Sequence, residues 1–301
     1  MVDTSFNEKG VFLYMKSLCI KTNNSKILSY LLNELKYSEI EHICFSENKF
    51  KNYKNIIIHY LSNNDYPYFF SKISSLLSFM IIDEFEDILM KRIIDKNYFY
   101  FDTLERNKIL KNCYNILSDE YYAWFDKKFD ALYNSLYSFI SNNKVLLLDG
   151  FINFRLQAYT AILDDIVAES VNNYIIEKEY MEFISLLKLY INSQKNNSNI
   201  VHLIYNTSES ILLDENKNLI LNSEEIFNAK YLSDISFSAN DYTLNSLLNL
   251  LPKKIYIHLI DNQMDEFINT LQLIFENRVS ICLNCEICNL YRFHKKTLTK
   301  K

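Results

Sequence analysis

The chain has 301 residues, 49% hydrophobic and 23% charged, with a net charge of −5, which indicates one large or two ordinary globular domains and excludes a disordered chain. The acidic balance does not support nucleic-acid binding, because that function needs a cationic surface to displace phosphate counterions. The sequence contains only two glycines, Gly10 and Gly150, so the glycine-rich dinucleotide and phosphate loops and the G-x-S-x-G hydrolase turn are all excluded.

The sequence predicts a cytoplasmic protein without a membrane span. Its first ten residues lack an apolar signal core, and the longest apolar stretch, residues 73–82, is about half of the ~20 residues that cross a bilayer. Six cysteines in a reducing compartment are then expected to be thiols or metal ligands rather than disulfides.

The first hundred residues predict a small α/β layer followed by a long helix. Alternating and β-branched runs indicate strands, and apolar residues at three- and four-residue steps indicate helices. The predicted elements are a strand over 11–20, a helix over 25–37, strands over 43–50 and 55–61, and a helix from Asp65 and Pro67 to about 94.

The middle of the chain reads as helical. Asp102 and Glu105 have the spacing of a capping box and start a helix to about residue 117. The further predicted elements are a helix over 118–141, a short apolar run at 145–148, a long helical stretch over 151–194, and a polar linker at 195–199.

The last third returns to alternating strands and helices. Ser238 is a predicted N-cap of a helix that ends at Pro252. The predicted strands cover 200–206, 211–213, more weakly 218–221, then 254–260 and 279–282, with a helix over 265–276 before the last. The fold class is therefore α+β, with mixed β-sheet elements near both ends of the chain and a largely helical middle.

Three segments in a fixed order carry a family resemblance. They are 151–156 (FINFRL), 177–188 (EKEYMEFISLLK) and 274–279 (IFENRV), supported by 240–242 and 252–258. Over about residues 145–290 this pattern resembles the YtxC-like sporulation proteins of endospore-forming bacteria. The resemblance implies a role in sporulation without any catalytic residues. It suggests three regions: 1–100, an α/β region with a long helix; 101–290, the YtxC-like region with a helical part 101–196 and an α+β part 197–290; and a basic tail 291–301.

A cysteine cluster near the C-terminus is the sharpest chemical signal. Cys282, Cys285 and Cys288 share two C-x-x-C spacings, each a common zinc half-site, and His294 is a candidate fourth ligand, as are Cys19, Cys44 or Cys113. The bacterial ferredoxin pattern expects a further cysteine where Arg292 stands, which favours zinc over an iron–sulfur cluster. The alternative is an inert or redox-active tail with no metal.

Other candidate residues have a structural interpretation beside a functional one. Arg155 in an apolar helical face is expected to form a buried ion pair with Glu179 or Glu182, or to line a pocket for an anionic ligand. Strand histidines at 59, 202 and 258 form a shared site only if their strands are neighbours, and are otherwise ordinary strand residues. The acidic run 83–87 reads as a solvated helix face rather than a cation site.

The leading functional hypothesis is a non-enzymatic sporulation factor that acts through contacts with a protein partner. The first alternative is a metal- or redox-dependent enzyme or sensor that uses the three cysteines. A further alternative is a nucleic-acid-binding zinc knuckle that uses the basic tail from Arg292 to Lys301.

Overall fold

A computed structural model describes residues 15–37, 43–50, 53–61, 66–194, 199–206, 209–220 and 238–298. The chain forms two compact units, Met1–Ile176 and Glu177–Lys301. Strands lie near both ends and helices fill the middle, so the predicted α+β class is confirmed. The three regions predicted from the sequence were defined by family resemblance and composition, whereas these two units are defined by compactness. The division into three regions therefore stays a prediction.

The first unit combines a four-stranded sheet with a group of helices. Its sheet has the order β2-β3-β1-β4, in which β1 and β4 are parallel and the other neighbours antiparallel. The elements are β1 (Met15–Thr22), α1 (Ser25–Tyr37), β2 (Ile43–Phe50), β3 (Tyr53–Leu61), α2 (Tyr66–Asn97), α3 (Thr103–Asp119), α4 (Tyr121–Asn142), β4 (Val145–Leu147), α5 (Leu148–Phe154) and α6 (Gln157–Ser193), whose residues from Glu177 onward belong to the second unit.

Local sequence signals explain several of these boundaries. The capping box of Asp102 and Glu105 is present, with each side chain accepting from the other residue's backbone N–H at 2.8 Å. The helical stretch predicted over 151–194 forms two helices, because the chain breaks at Arg155 between α5 and α6. No glycine or proline marks this break, so the apolar periodicity runs across it undisturbed.

The second unit is built from two successive β-α-β crossovers. Its sheet has the order β6-β5-β7-β8, where β5, β7 and β8 are parallel and β6 is an antiparallel edge strand. The elements after α6 are β5 (Ile200–Asn206), β6 (Glu209–Leu213), α7 (Ala239–Leu250), β7 (Lys254–Leu259), α8 (Glu266–Phe275), β8 (Val279–Cys282) and α9 (Glu286–Leu298).

Both faces of this second sheet carry apolar side chains, as expected of parallel strands. Val201, Leu203 and Ile257 point into a core completed by Leu247 of α7 and Leu271 of α8. A smaller cluster on the other face brings together Ile287 of α9 with Ile204, Leu213 and Ile260. The helix that begins just after the cysteine strand is thereby fastened to the sheet.

Two predicted features of this region have other outcomes. The weak strand predicted over 218–221 is reduced to one bridge between Leu213 and Leu219, and residue 221 lies outside the described residues. The linker 195–199 lies outside them too, apart from residue 199. Across the described residues, no helix has the length and hydrophobicity needed to cross a membrane.

Candidate metal centre

The three cysteines lie where two parallel strands end and a helix begins. Cys282 is the last residue of β8, and its register partner in β7 is His258. Cys285 directly precedes α9, and Cys288 lies in the first turn of that helix. Carboxyl ends of parallel strands commonly form sites in α/β sheets, and here they bring four donors of different elements to one point.

The donor atoms of His258, Cys282, Cys285 and Cys288 all lie within 4.8 Å of one another. His258 Nδ1 is 3.3 Å from the Cys285 Sγ and 3.5 Å from the Cys288 Sγ. The Cys288 Sγ lies 3.6 Å from that of Cys285 and 3.8 Å from that of Cys282.

These separations can be compared with those of a tetrahedral zinc site. Zn–S bonds of ~2.3 Å and Zn–N bonds of ~2.0–2.1 Å at tetrahedral angles place two sulfurs ~3.8 Å apart and a sulfur and a nitrogen ~3.6 Å apart. The measured distances of 3.6 and 3.8 Å between sulfurs and 3.3 and 3.5 Å to nitrogen agree within a few tenths of an ångström. The sulfurs are far beyond disulfide bonding distance, and all six cysteines are free thiols.

The electrostatics of the cluster favour the thiolate form at Cys285 and disfavour it at Cys288. Burial acts to raise the pKa of Cys285, but hydrogen bonds from the backbone N–H of Cys288 and from the neighbouring thiols lower it overall. That N–H belongs to the first turn of α9, whose positive end favours a thiolate. Burial and the neighbouring thiols raise the pKa of Cys288 to about 12. A bound cation is what allows such a cluster to ionise fully.

His258 has the protonation state that a metal ligand needs. Burial, together with repulsion from His202, lowers the pKa of His258 to about 4, so its imidazole is neutral at physiological pH. The ring is buried, and its two nitrogens face different groups: Nδ1 faces the sulfurs, and Nε2 lies 3.0 Å from Nδ1 of His202. His202 is on the neighbouring strand β5, with its ring stacked on Tyr256.

Arg292 fastens the cysteine-bearing helix to the strand that carries His258. Its guanidinium donates to the backbone carbonyls of Leu259 and Ile260 at 3.0 Å and of Leu283 at 2.7 Å, and also to the Asn262 side chain. Arg292, which occupies the position of the fourth cysteine in the ferredoxin pattern, therefore links α9 to the end of β7. Arg292 is the one basic residue of the tail 291–301 whose side chain the structure describes, and that side chain is engaged with backbone carbonyls.

The structure brings the three predicted cysteines together, with His258 as the fourth donor in the group. The side chain of His294 lies outside the described residues, and its role as a ligand stays a prediction. His258 was noticed in the sequence only as a strand histidine. The available signal was that Cys282 ends one predicted strand and His258 lies near the end of another, so that parallel pairing of the two strands would bring them close together. His59 lies in the other sheet, hydrogen-bonded to Ser17 at 2.8 Å.

The prediction that Arg155 is buried is wrong. Arg155 is exposed at the end of α5, with its guanidinium over the Phe139 ring, because the chain turns there instead of continuing as a helix. Glu179 and Glu182 are exposed on α6 in the second unit, on the solvent side of that helix. Their pairing with Arg155 as a structural or ligand-binding group stays a prediction.

Within the acidic run 83–87, one residue departs from the expected solvated face. Glu86 is buried and forms an ion pair with buried Lys128, while Tyr159 donates to the same carboxylate at 2.9 Å. The sequence signal was present, since Lys128 precedes Leu132, Leu136 and Ile140 in a buried row at four-residue steps. Among the described residues of the first unit, Glu86 and Lys128 are the buried residues that carry a formal charge.

Comparison with known proteins decides the family. Residues 71–280 match the model of the YtxC-like family. The chain belongs to the YtxC-like family. The matched range begins earlier than the resemblance seen in the sequence and ends before the first of the three cysteines. A relative from Bacillus subtilis strain 168, named "Uncharacterized protein YtxC", is 21% identical over 205 residues, which cover 65% of this chain and 71% of the relative. No solved structure matches the chain.

Proposed function

We propose that this YtxC-like protein is a non-enzymatic cytoplasmic sporulation factor that binds one Zn²⁺ and acts through contacts with a protein partner. The observation that carries the zinc assignment is the convergence of His258, Cys282, Cys285 and Cys288 within 4.8 Å, with four of the six donor separations close to those of a tetrahedral site. Three soft thiolates and one neutral imidazole are the donor set that zinc prefers.

A structural role for the metal follows from the number of donors. Four protein ligands fill the tetrahedral positions of Zn²⁺ and leave none for water or substrate, whereas catalytic zinc sites keep one position open. The ion would join the ends of β7 and β8 to the start of α9, and so would stabilise the C-terminal part of the second unit. This supports a binding protein over an enzyme.

The sporulation role rests on the family resemblance and calls for an experiment in cells. We expect affinity capture from sporulating cells of the source organism to recover a protein partner with the wild-type chain. The Cys282→Ser/Cys288→Ser variant should lose that partner if the zinc-held region forms the binding surface. Normal sporulation in cells that lack the gene would contradict the assignment, and recovery of a small-molecule-converting activity would contradict the non-enzymatic role.

A redox sensor is the second candidate, and the spacing of the sulfurs supports it. Cys288 lies within 3.8 Å of both other thiols, and the lowered pKa of Cys285 favours its reactive thiolate form. A peroxide would take two electrons and two protons from two of these thiols, which would join their sulfurs as a disulfide and release water and the reduced peroxide. Partner binding that depends on reversible oxidation rather than on zinc would favour this candidate. Nucleic-acid binding has no comparable support, because Arg292 is engaged with backbone carbonyls.

A further inference from the structure

We infer that His202 is the positioning residue of the metal centre: its Nδ1 accepts a hydrogen bond from the Nε2–H of His258 and so fixes the tautomer that presents Nδ1 of His258 to the metal. This inference rests on the proposed zinc site and adds to it a residue outside the ligand set. Its basis is the 3.0 Å contact between the two rings.

The assignment of protons follows from the geometry of His258. A neutral imidazole carries one proton, and the nitrogen that binds a metal must be the other one. Nδ1 lies 3.3 Å and 3.5 Å from two sulfurs, so Nδ1 is the ligand atom and Nε2 carries the proton. The group within hydrogen-bonding distance of Nε2 is His202 Nδ1, which must therefore be an acceptor, with the His202 proton on its own Nε2.

The orientation of His202 is itself fixed. Its ring stacks on Tyr256, its register partner in β7, with 5.4 Å between the ring centres and 20° between the planes. It also lies nearly parallel to the His258 ring, with 5.3 Å between centres. Because His202, Tyr256 and His258 lie on one face of the sheet, the strands hold the acceptor in place before any metal arrives.

Burial explains why the proton of His258 needs this acceptor. His258 is 3% exposed, so its Nε2–H cannot turn to bulk water. Metal-ligating histidines generally donate their second N–H to a fixed acceptor, and losing that partner typically weakens metal binding 10- to 100-fold. Residues 71–280 match the YtxC-like family, and this range includes both His202 and His258. The three cysteines of the cluster lie after the matched range.

The test compares two replacements of His202 in the full chain. His202→Leu fills the position without an acceptor and keeps water out, whereas His202→Asn places a carbonyl oxygen where Nδ1 stood. A matched control is His59→Leu, a strand histidine of the first unit whose partner is Ser17. Zinc affinity is measured by competition with a chromophoric chelator, and ligand geometry by the d–d absorption of the Co²⁺-substituted protein.

We expect His202→Leu to bind zinc about 10- to 100-fold more weakly, with an altered Co²⁺ spectrum. We expect His202→Asn and His59→Leu to match the wild type in both measurements. Wild-type affinity and an unchanged spectrum in His202→Leu would overturn the inference while leaving the zinc site intact. Failure of the wild-type chain to bind zinc would instead overturn the proposed function itself.

A second measurement needs no variant and covers the case in which His202→Leu does not fold. Imidazole ¹⁵N NMR of the zinc-bound wild-type protein should show His258 metal-bound at Nδ1 and protonated at Nε2. A coupling across the hydrogen bond to His202 Nδ1 is also expected. Metal at Nε2 of His258, or a proton on His202 Nδ1, would overturn the inference.

Discussion

The buried ion pair of the first unit gives the most quantitative prediction about stability. Lys128 Nζ lies 2.8 Å and 2.7 Å from the two Glu86 carboxylate oxygens, and the side chains are only 6% and 12% exposed. Tyr159 donates a further hydrogen bond to Glu86 at 2.9 Å. Burial and the charge of Glu86 raise the pKa of Tyr159, so its hydroxyl remains a donor over the whole working pH range.

The perturbation is Lys128→Met, which keeps a long side chain of similar volume and removes the charge. Glu86 then remains buried with Tyr159 as its described partner, and breaking a buried pair in this way typically costs about 3–5 kcal/mol. Cavity formation adds little because methionine fills the space. We therefore expect the free energy of unfolding to fall by about 3–5 kcal/mol.

The assay is urea denaturation followed by tryptophan fluorescence. The chain has a single tryptophan, Trp124, which lies on α4 one turn before Lys128 and reports on this unit. The matched control is Lys91→Met, since Lys91 pairs with Asp87 on the exposed surface of α2 with its side chain 53% accessible. Exposed pairs contribute about 0–1 kcal/mol, so this control should be nearly neutral.

A double variant distinguishes a buried charge from lost packing. Glu86→Met/Lys128→Met leaves no unpaired charge and should recover most of the stability lost in Lys128→Met. The reasoning is refuted if Lys128→Met behaves like Lys91→Met, or if the double variant is less stable than Lys128→Met alone.

Three other predictions test separate features. Asp102→Ala removes the capping box of α3 and should lower the free energy of unfolding by about 1 kcal/mol in urea denaturation; an unchanged midpoint would contradict the cap's role. Glu276→Gly should raise the thermal midpoint, because Glu276 has φ 47° and ψ −119°, a backbone conformation that is strained for any residue but glycine. Its solvent-exposed ion pair with Lys188 contributes little to stability, so losing that pair should not offset the gain. A lower midpoint would contradict this prediction. In thiol labelling of zinc-loaded protein, exposed Cys44 should react first, and Cys113 should react last because it is buried and burial raises its pKa. Removal of zinc with a chelator should make Cys282, Cys285 and Cys288 reactive. Fast labelling of these three thiols before chelation would contradict their protection by the metal.

The parts of the fold that local sequence determines were predictable. The capping residues Asp102 and Ser238 mark helix starts because their side chains satisfy backbone N–H groups within the same turn. The break at Arg155 was not predictable, since it follows from packing and no local breaker is present. Burial of Glu86 was also missed, because the apolar row that follows Lys128 indicates only that this lysine is buried, and the charged run does not show which of its carboxylates faces the lysine.

The candidate site also has a part that the sequence predicts and a part that depends on the tertiary fold. Cys282, Cys285 and Cys288 are close in sequence, so their convergence follows from local spacing. His258 and Cys282 become neighbours only through the register of β7 and β8, and His202 only through that of β5 and β7. His294 was chosen because it is near the cysteines in sequence, whereas the fourth donor that the structure shows, His258, comes from a strand that precedes them.

The central claim is that His258 and the three cysteines bind one structural zinc ion. The most direct measurement is the zinc-to-protein ratio, by elemental analysis, of chain purified under reducing conditions. The account predicts about one zinc per wild-type chain and none in Cys282→Ser/Cys288→Ser. A wild-type chain without zinc, or a double variant that keeps it, would contradict the account.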